Sequence, residues 1–281
     1  MRQTLRCPGG RVLDLSTPQV MGILNLTPDS FFAGNRMADE AELLRRAEQM
    51  LAAGAAVLDV GAYSSRPGAD DISAEEELRR LLPGLQALRR TFPEAFLSVD
   101  TFRAPVAEAA VQAGADMIND IGGGLLDEAM LPTVARLRVP YILMHMRGTP
   151  QTMTQHTHYE ADLLEELTRY FRDRLTALRA LWPDACVVLD PGFGFAKTPA
   201  QGYELLRRLP ELLSVLDLPL LVGISRKSLV WKPLGLTPEA ALPGTIVLNT
   251  LAVLGGAHLL RVHDVAEARQ TVQLVHHILS S

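Results

Sequence analysis

The sequence predicts a (β/α)₈ barrel, on three observations. Short apolar runs alternate with longer amphipathic segments, the apolar runs number eight, and glycines recur just before several of these runs. The chain has 281 residues, which suits one barrel of ~250 residues, so we expect a single domain over 1–281. The eight predicted strands are 20–24, 57–60, 96–99, 117–118, 141–144, 187–189, 220–222 and 259–262.

Each predicted strand is short and apolar on both faces, as in a parallel sheet covered by helices. The segments between the strands carry apolar residues at helical spacing. Leu43, Ala47 and Leu51 form one such stripe, and Leu81 and Leu85 belong to another. Strands that alternate with helices predict a parallel sheet with helical crossovers. Eight units favour a closed barrel over an open doubly wound sheet.

Three junctions between helix and strand carry the same small-residue pattern. Gly54, Gly114 and Gly256 each stand directly before an alanine and shortly before a predicted strand. Glycine at such a place can adopt the left-handed conformation that ends a helix. The pattern therefore predicts that helices end at these three glycines.

Composition excludes several classes of protein. The net charge of −5 argues against a general nucleic-acid binder, which should be basic. Cys7 and Cys186 are the two cysteines and form no C-x-x-C pair, so neither a disulfide framework nor a zinc site is indicated. No apolar run approaches ~18 residues, so we expect no membrane span and a cytoplasmic protein.

Polar residues recur directly after the predicted strands. In a barrel these positions converge on the face at the C-terminal ends of the strands, where active sites lie. Carboxylate and amide groups suit a flat heterocycle with amino and lactam edges, whereas arginine, histidine and asparagine suit an anionic leaving group. The first group comprises Asp100, Asn119 and Asp190, the second comprises Asn25, Arg261 and His263, and Lys227 could serve either.

Two further motifs are weaker. The run GFGFAK at 192–197 resembles a phosphate-binding loop but lacks the glycine that a Walker loop needs where Lys197 stands. His156 and His158 could be metal ligands, but no carboxylate pattern accompanies them. An exposed histidine pair at a helix entry is the simpler interpretation.

Eight segments between about Val20 and Val265 carry the polar residues singled out above and together span nearly the whole chain. The segments are 21–31 (MGILNLTPDSF), 64–69 (SSRPGA), 98–101 (SVDT), 118–121 (INDI), 143–146 (LMHM), 189–195 (LDPGFGF), 223–228 (GISRKS) and 261–265 (RVHDV). In this order they resemble the motifs of dihydropteroate synthases, and as a set they are highly specific.

The resemblance implies a reaction. Its substrates would be 6-hydroxymethyl-7,8-dihydropterin diphosphate and para-aminobenzoate. Diphosphate would leave as the amine attacks the methylene carbon, and the product would be 7,8-dihydropteroate, on the route to folate. The resemblance also implies a magnesium ion, a homodimer and a target of sulfonamides, with neither nucleic acid nor membrane as a partner.

The same resemblance implies roles for individual residues. Those expected to hold the pterin are Asp100, Asn119, Asp190 and Lys227, with Met144 and Phe195 packed beside it. Those expected to bind diphosphate are Asn25, Arg261 and His263, with Asn25 also contacting magnesium. Those expected to border the para-aminobenzoate pocket are Ser65, Arg66, Pro67 and Ser228. Those expected to take part in catalysis are Asn25, Asp100, Lys227, Arg261 and His263.

The chain departs from the family pattern on the aminobenzoate side. Tyr63 stands where many members have glutamate, and Ser65 stands where many have threonine. The first loop reads FAGN at 32–35 instead of the common SDGG, and Leu229 stands where bulkier residues are frequent. These departures bear on sulfonamide affinity and leave the reaction type intact.

Three other functions are compatible with parts of this pattern. A pterin-binding methyltransferase that serves a corrinoid protein would keep the pterin acceptors without needing the SSRPG loop or the Arg-Val-His run. A Schiff-base aldolase would use Lys227 as its nucleophile. A non-enzymatic pterin carrier would bind pterin and release no diphosphate. The motifs favour the synthase over all three.

Overall fold

The computed structural model describes residues 4–26, 36–65 and 71–280. Its strands are β1 Thr4–Arg6, β2 Val12–Asp14, β3 Gln19–Asn25, β4 Val57–Gly61, β5 Phe96–Asp100, β6 Met117–Asp120, β7 Tyr141–Met144, β8 Val187–Asp190, β9 Leu221–Val222 and β10 Leu259–Val262. Strands β3 to β10 form one parallel sheet in the order β8-β7-β6-β5-β4-β3-β10-β9. A parallel bridge between Leu189 and Leu220 joins the two ends of this order, which gives the predicted barrel.

Helices surround the sheet. They are α1 Arg36–Ala52, α2 Ala74–Thr91, α3 Ala104–Gln112, α4 Met130–Leu137, α5 Leu163–Leu181, α6 Pro199–Arg207, α7 Leu209–Leu216, α8 Ser228–Trp231, α9 Leu242–Leu254 and α10 Val265–Ser280. The predicted stripes face the sheet, since Leu43, Ala47, Leu81 and Leu85 are buried in the main apolar core. In the described ranges, no helix is both long and apolar enough to cross a membrane.

The predicted strand positions and helix ends are confirmed. Five strands run at least one residue further than predicted, so that Asn25, Asp100 and Asp190 are each the last residue of a strand. Gly54, Gly114 and Gly256 have φ values of 95°, 108° and 91°, the left-handed conformation expected of glycines that end helices. Asn25, Asp100 and Asp190 are therefore held in place by the backbone hydrogen bonds of the sheet and do not lie in the loops beyond it.

A hairpin of β1 and β2 closes the N-terminal end of the barrel, and the sequence analysis did not predict it. The strands pair antiparallel, and Leu5 and Leu13 pack against the first inward-facing residues of the barrel strands, among them Met21, Val57 and Phe96. Each hairpin strand has three residues with one buried side chain. Such strands are too short to show a period-two pattern.

Candidate active site

The second layer of inward-facing side chains in the barrel is polar. Side chains two residues apart on a strand point to the same face, so this layer lies directly above the apolar layer closed by the hairpin. Its members are Asp59, Ser98, Asn119, Asp190 and Arg261, each two residues beyond an apolar member of the first layer. The sequence prediction that polar groups converge at the C-terminal ends of the strands is confirmed for Asn119, Asp190 and Arg261, whereas Asp59 and Ser98 were not predicted.

Arg261 joins several of these side chains. Its Nε donates a hydrogen bond to Oδ2 of Asp59 at 2.6 Å, and its Nη2 donates to Oδ2 of Asp100 at 2.7 Å. The Nδ2 amide of Asn119 donates to the same Asp59 oxygen at 3.0 Å. The two bonds that Arg261 donates use two of the five N–H donors of its guanidinium. The role of Arg261 toward diphosphate stays a prediction.

Asp59 is a member of the site that the sequence analysis missed. Its carboxylate is fully buried and links Asn119 of β6 to Arg261 of β10. Asp59 lies inside predicted strand 57–60, and the sequence analysis did not single it out. The available signal was a charged residue in an otherwise apolar buried strand, because such a charge is rarely buried without a partner.

Burial and charge shift the pKa values of this cluster in opposite directions. Burial raises the pKa of Asp100 to about 7, although the positive charge of Arg261 opposes the rise and the Asp59 carboxylate adds to it. Burial alone would lower the pKa of Arg261, but Asp59 and Asp100 outweigh it and the net shift is upward. Arg261 is therefore a permanent cation, while Asp100 titrates near neutral pH.

Asp190 is held by the loop that follows it. Its Oδ1 accepts a hydrogen bond from the Gly192 backbone N–H at 2.7 Å. Burial raises the pKa of Asp190, and the charge of Lys227 counteracts that rise. Asp190, at the end of β8, and Lys227, which follows β9, thus interact electrostatically.

Lys227 points into the barrel mouth. Its Nζ donates to the Phe193 carbonyl at 2.7 Å and lies 4.6 Å from the centroid of the Phe195 ring. The adjacent Arg226 turns away and forms two bonds to Asp264, at 2.9 and 2.7 Å. Burial lowers the pKa of Lys227 to about 8, against the opposing charge of Asp190. Asp190 favours the charged lysine, but burial has the larger effect.

The loop at 192–197 is organised by a buried lysine whose role the sequence did not predict. Lys197 Nζ lies 2.8 Å from Nδ1 of His145 and donates to the carbonyls of Gly192 and Phe195, both at 3.2 Å. Burial lowers the pKa of Lys197 to about 7 and that of His145 well below its ordinary value. The ammonium group of Lys197 is therefore bonded to His145 and to carbonyls of its own loop, and it holds that loop in place. Its donors are used inside the protein, unlike those of a phosphate-loop lysine.

An apolar wall stands beside the polar layer. Met144 is buried with Ile121, Met146 and Met153, and the half-buried Phe195 packs against them. Because Phe195 also lies over the Lys227 ammonium, the wall and the cation meet. Such a surface suits one face of a flat ring.

The residues expected to bind diphosphate lie along one rim of the barrel. Asn25 ends β3 and pairs in register with Gly61, which pairs in turn with Asp100. His263 follows β10, and its Nδ1 lies 3.0 Å from the Ser225 hydroxyl, which also accepts from the His263 backbone N–H at 3.2 Å. Ser225 thereby fixes the orientation of the imidazole.

The aminobenzoate side is described in part. Ser65 is half-buried after β4, and Ser228 is the first residue of α8. Arg66 and Pro67 lie outside the described residues, as do the motif positions 27–31 and the loop at 32–35. Their predicted roles stay predictions.

Known proteins resemble this chain along nearly its full length. Residues 21–263 match the family model described as pterin binding enzyme. The dihydropteroate synthase of Escherichia coli (strain K12) is 41% identical over 273 residues, which cover 97% of this chain and 95% of that protein.

Solved structures agree. The Yersinia pestis dihydropteroate synthase with a sulfonamide drug is 41% identical, with a TM-score of 0.91, and the match covers 99% of this chain and 100% of that one. The Xanthomonas albilineans dihydropteroate synthase with 4-aminobenzoic acid is 39% identical, with a TM-score of 0.91 and coverage of 100% for both chains. The chain therefore belongs to the pterin-binding enzymes, and within them to the dihydropteroate synthase family.

Proposed function

We propose that this chain joins 6-hydroxymethyl-7,8-dihydropterin diphosphate to para-aminobenzoate, giving 7,8-dihydropteroate and diphosphate. The observation that carries the proposal is the buried polar layer at the C-terminal end of the barrel in a chain of this family. Asp100, Asn119 and Asp190 supply hydrogen-bond acceptors there, and Lys227 supplies a donor beside the Phe195 ring.

The hydrogen bonds within the site support an assignment of the atoms that would meet the pterin. One N–H of the Asn119 amide is used by Asp59, and we assign the Asn119 carbonyl oxygen to a pterin N–H donor. Asp190 holds the Gly192 N–H through Oδ1, so Oδ2 is its substrate-binding atom. Lys227 then donates to a pterin acceptor, and the wall of Met144 and Phe195 covers the ring.

Departure of diphosphate requires that its growing negative charge be neutralised. Arg261 is a fixed cation at this end of the barrel, and His263 is oriented by Ser225 on the adjoining rim. Both can donate to phosphate oxygens, and arginine can do so with two parallel bonds. The arrangement supports an assignment of both residues to the leaving group.

Asn25 fits a magnesium ion that arrives with the diphosphate. The described residues contain no group of three or more His, Cys, Asp or Glu side chains placed to hold a metal. Magnesium prefers hard oxygen donors and is commonly held by one or two protein ligands together with substrate phosphates and waters. The Asn25 amide oxygen is such a donor at the correct rim, and bound magnesium would stabilise charge on the leaving diphosphate.

The attacking group in this reaction is the substrate amine, so no protein nucleophile is needed. A Schiff-base lysine must lose its proton, whereas a pKa of about 8 keeps most Lys227 side chains protonated at neutral pH. Borohydride treatment during turnover should leave the peptide containing Lys227 unmodified. A reduced adduct on Lys227 would instead support the aldolase function.

The direct test is a coupled assay of diphosphate release, with and without para-aminobenzoate, in the presence of magnesium. We expect release to require both substrates and to yield 7,8-dihydropteroate by mass spectrometry. Lys227→Ala should fold normally and lose most activity. Release that is independent of para-aminobenzoate, or pterin binding without release, would contradict the proposal.

We also propose a homodimer formed through α9 and α10. These helices pack against each other and leave large apolar side chains exposed, including Val247 at 58%, Leu251 at 48% and Leu274 at 65%. Apolar patches of this kind mark interaction surfaces. Sedimentation should show a dimer that Leu251→Glu dissociates, whereas Leu181→Glu on α5, where Leu181 is 51% exposed, should remain dimeric.

We propose that the protein is cytoplasmic. Cys7 and Cys186 form no disulfide, which suits a reducing compartment. Fractionation of cells that produce the chain is the corresponding measurement.

A further inference from the structure

Tyr63, the residue that departs from the family pattern, makes contacts with two neighbouring loops. It follows β4, and 9% of its surface is exposed. Its hydroxyl accepts a hydrogen bond from Nε2 of Gln151, in the loop after β7, at 2.7 Å. Its ring meets the Phe102 ring, in the loop after β5, edge to face at 88° with centroids 5.0 Å apart. Tyr63 therefore joins the loops that follow β4, β5 and β7.

Arg103 adds a further connection on the same side. Its guanidinium lies 5.2 Å from the centroid of the Tyr63 ring and 4.8 Å from that of the Phe102 ring. Its Nη2 donates to the Ile72 carbonyl at 2.6 Å and to Asp71 Oδ1 at 3.1 Å. Asp71 also interacts with the Tyr63 hydroxyl: burial is the main cause of the raised pKa of Tyr63, and this carboxylate adds to the rise.

Arg103 connects two residues that lie eight positions apart in the sequence. Its guanidinium contacts both Tyr63 and Asp71. The arginine is itself fixed, because Nη1 donates to the buried Glu77 carboxylate at 2.5 Å. Tyr63 and Asp71 are thus both linked through Arg103 to α2 and to the loop after β5.

We propose that Tyr63, Asp71 and Arg103 form a clamp beside Ser64–Ser65, and that the Tyr63 hydroxyl, through Gln151, sets the distance between Ser64–Ser65 and the pterin site. Tyr63 is then a positioning residue for para-aminobenzoate. This inference rests on the proposed function, which assigns Ser65 to that substrate.

The hydrogen-bonding chemistry explains why a tyrosine suits this place. A hydroxyl can accept from the Gln151 amide and donate to the Asp71 carboxylate at the same time. An ionised glutamate only accepts, and its charge would face Asp71. The tyrosine ring adds an edge-to-face contact with Phe102 and a cation contact with Arg103, which an acidic side chain cannot make.

The test is a steady-state comparison of wild type, Tyr63→Phe, Gln151→Met and the double variant. Loss of one net hydrogen bond corresponds to an about three- to tenfold effect. We expect each single variant to raise KM for para-aminobenzoate by that factor and to change kcat and the KM for pterin diphosphate by less than about twofold. The double variant should resemble Tyr63→Phe, because that variant already lacks the bond that Gln151→Met removes.

Thr271→Val on α10 is the control, since it removes a buried hydroxyl that bonds the Glu267 carbonyl at 2.9 Å, far from the clamp in the sequence. It should change neither KM. Equal rises in both KM values, additive effects in the double variant, or an unchanged KM for para-aminobenzoate would overturn the clamp. Wild-type protein that fails to consume para-aminobenzoate would instead count against the proposed function.

Discussion

The two ends of the barrel use the same strands in opposite ways. At the N-terminal end, Phe96 and Met117 face inward and pack against Leu5 and Leu13 of the hairpin. Two residues further along β6, the inward side chain is Asn119, which hydrogen-bonds to a buried carboxylate. One end is therefore closed and apolar, and the other is open and charged.

This difference separates stability from chemistry along a single strand. Burial of apolar side chains contributes to the free energy of folding roughly in proportion to area. The polar layer contributes less, because buried charges lose hydration and because Asp59 Oδ1 and Ser98 Oγ are buried without a hydrogen-bond partner in the part of the chain that is described. We infer that substitutions at the N-terminal end change the free energy of unfolding, whereas substitutions at the C-terminal end change the affinity for the pterin substrate.

A large effect on stability is expected in the hairpin. Leu5 is 1% exposed, so Leu5→Ala should lower the free energy of unfolding by about 2–5 kcal/mol through lost burial and a cavity. Chemical denaturation measures this change. Calorimetry of the folded variant should show unchanged affinity for the pterin diphosphate, and a weakened affinity would break the separation between the ends.

A smaller effect, on binding alone, is expected at the other end. Asp190→Asn removes a charged acceptor while keeping the shape of the side chain, so pterin affinity should fall by about 1.5–3 kcal/mol. The unfolding midpoint should change little. Calorimetric titration checks the affinity, and a folded variant with wild-type affinity would remove Asp190 from the site.

The dependence of affinity on pH sharpens the comparison further. Lys227 has a pKa of about 8 and binds best as the charged donor, so affinity for the pterin diphosphate should fall about tenfold per pH unit above that value. Lys227→Ala should lack this decline. A wild-type affinity that stays constant to pH 10 would show that the charge of Lys227 is not used in binding.

Sequence alone predicted the closed end poorly and the open end well. Asp100, Asn119 and Asp190 stand at strand ends, where barrel geometry fixes their common face. The hairpin strands are too short to carry a pattern. The hairpin packs against side chains from several barrel strands, which come together only in the folded chain. The strands of the barrel were predictable because each is a continuous apolar run.

Other parts of the site depend on tertiary contacts that no local pattern encodes. Asp59 was hidden inside a strand, and its partner Arg261 is distant in sequence. Lys197 lies beneath its loop because His145 and two carbonyls meet there. The clamp at Tyr63 likewise joins three loops. Such contacts follow from the closed barrel and not from residue spacing.

One strand offers the most direct test of the separation between the ends. Phe96 and Asp100 are the first and last residues of β5. Phe96→Ala should lower the free energy of unfolding by about 3–5 kcal/mol and leave pterin affinity unchanged. Asp100→Asn should change the unfolding free energy by less than Phe96→Ala does, because burial already disfavours the charged form of Asp100 and an amide oxygen can still accept from Arg261, and it should weaken pterin binding at least about tenfold. If both variants changed stability and affinity together, the account would be contradicted.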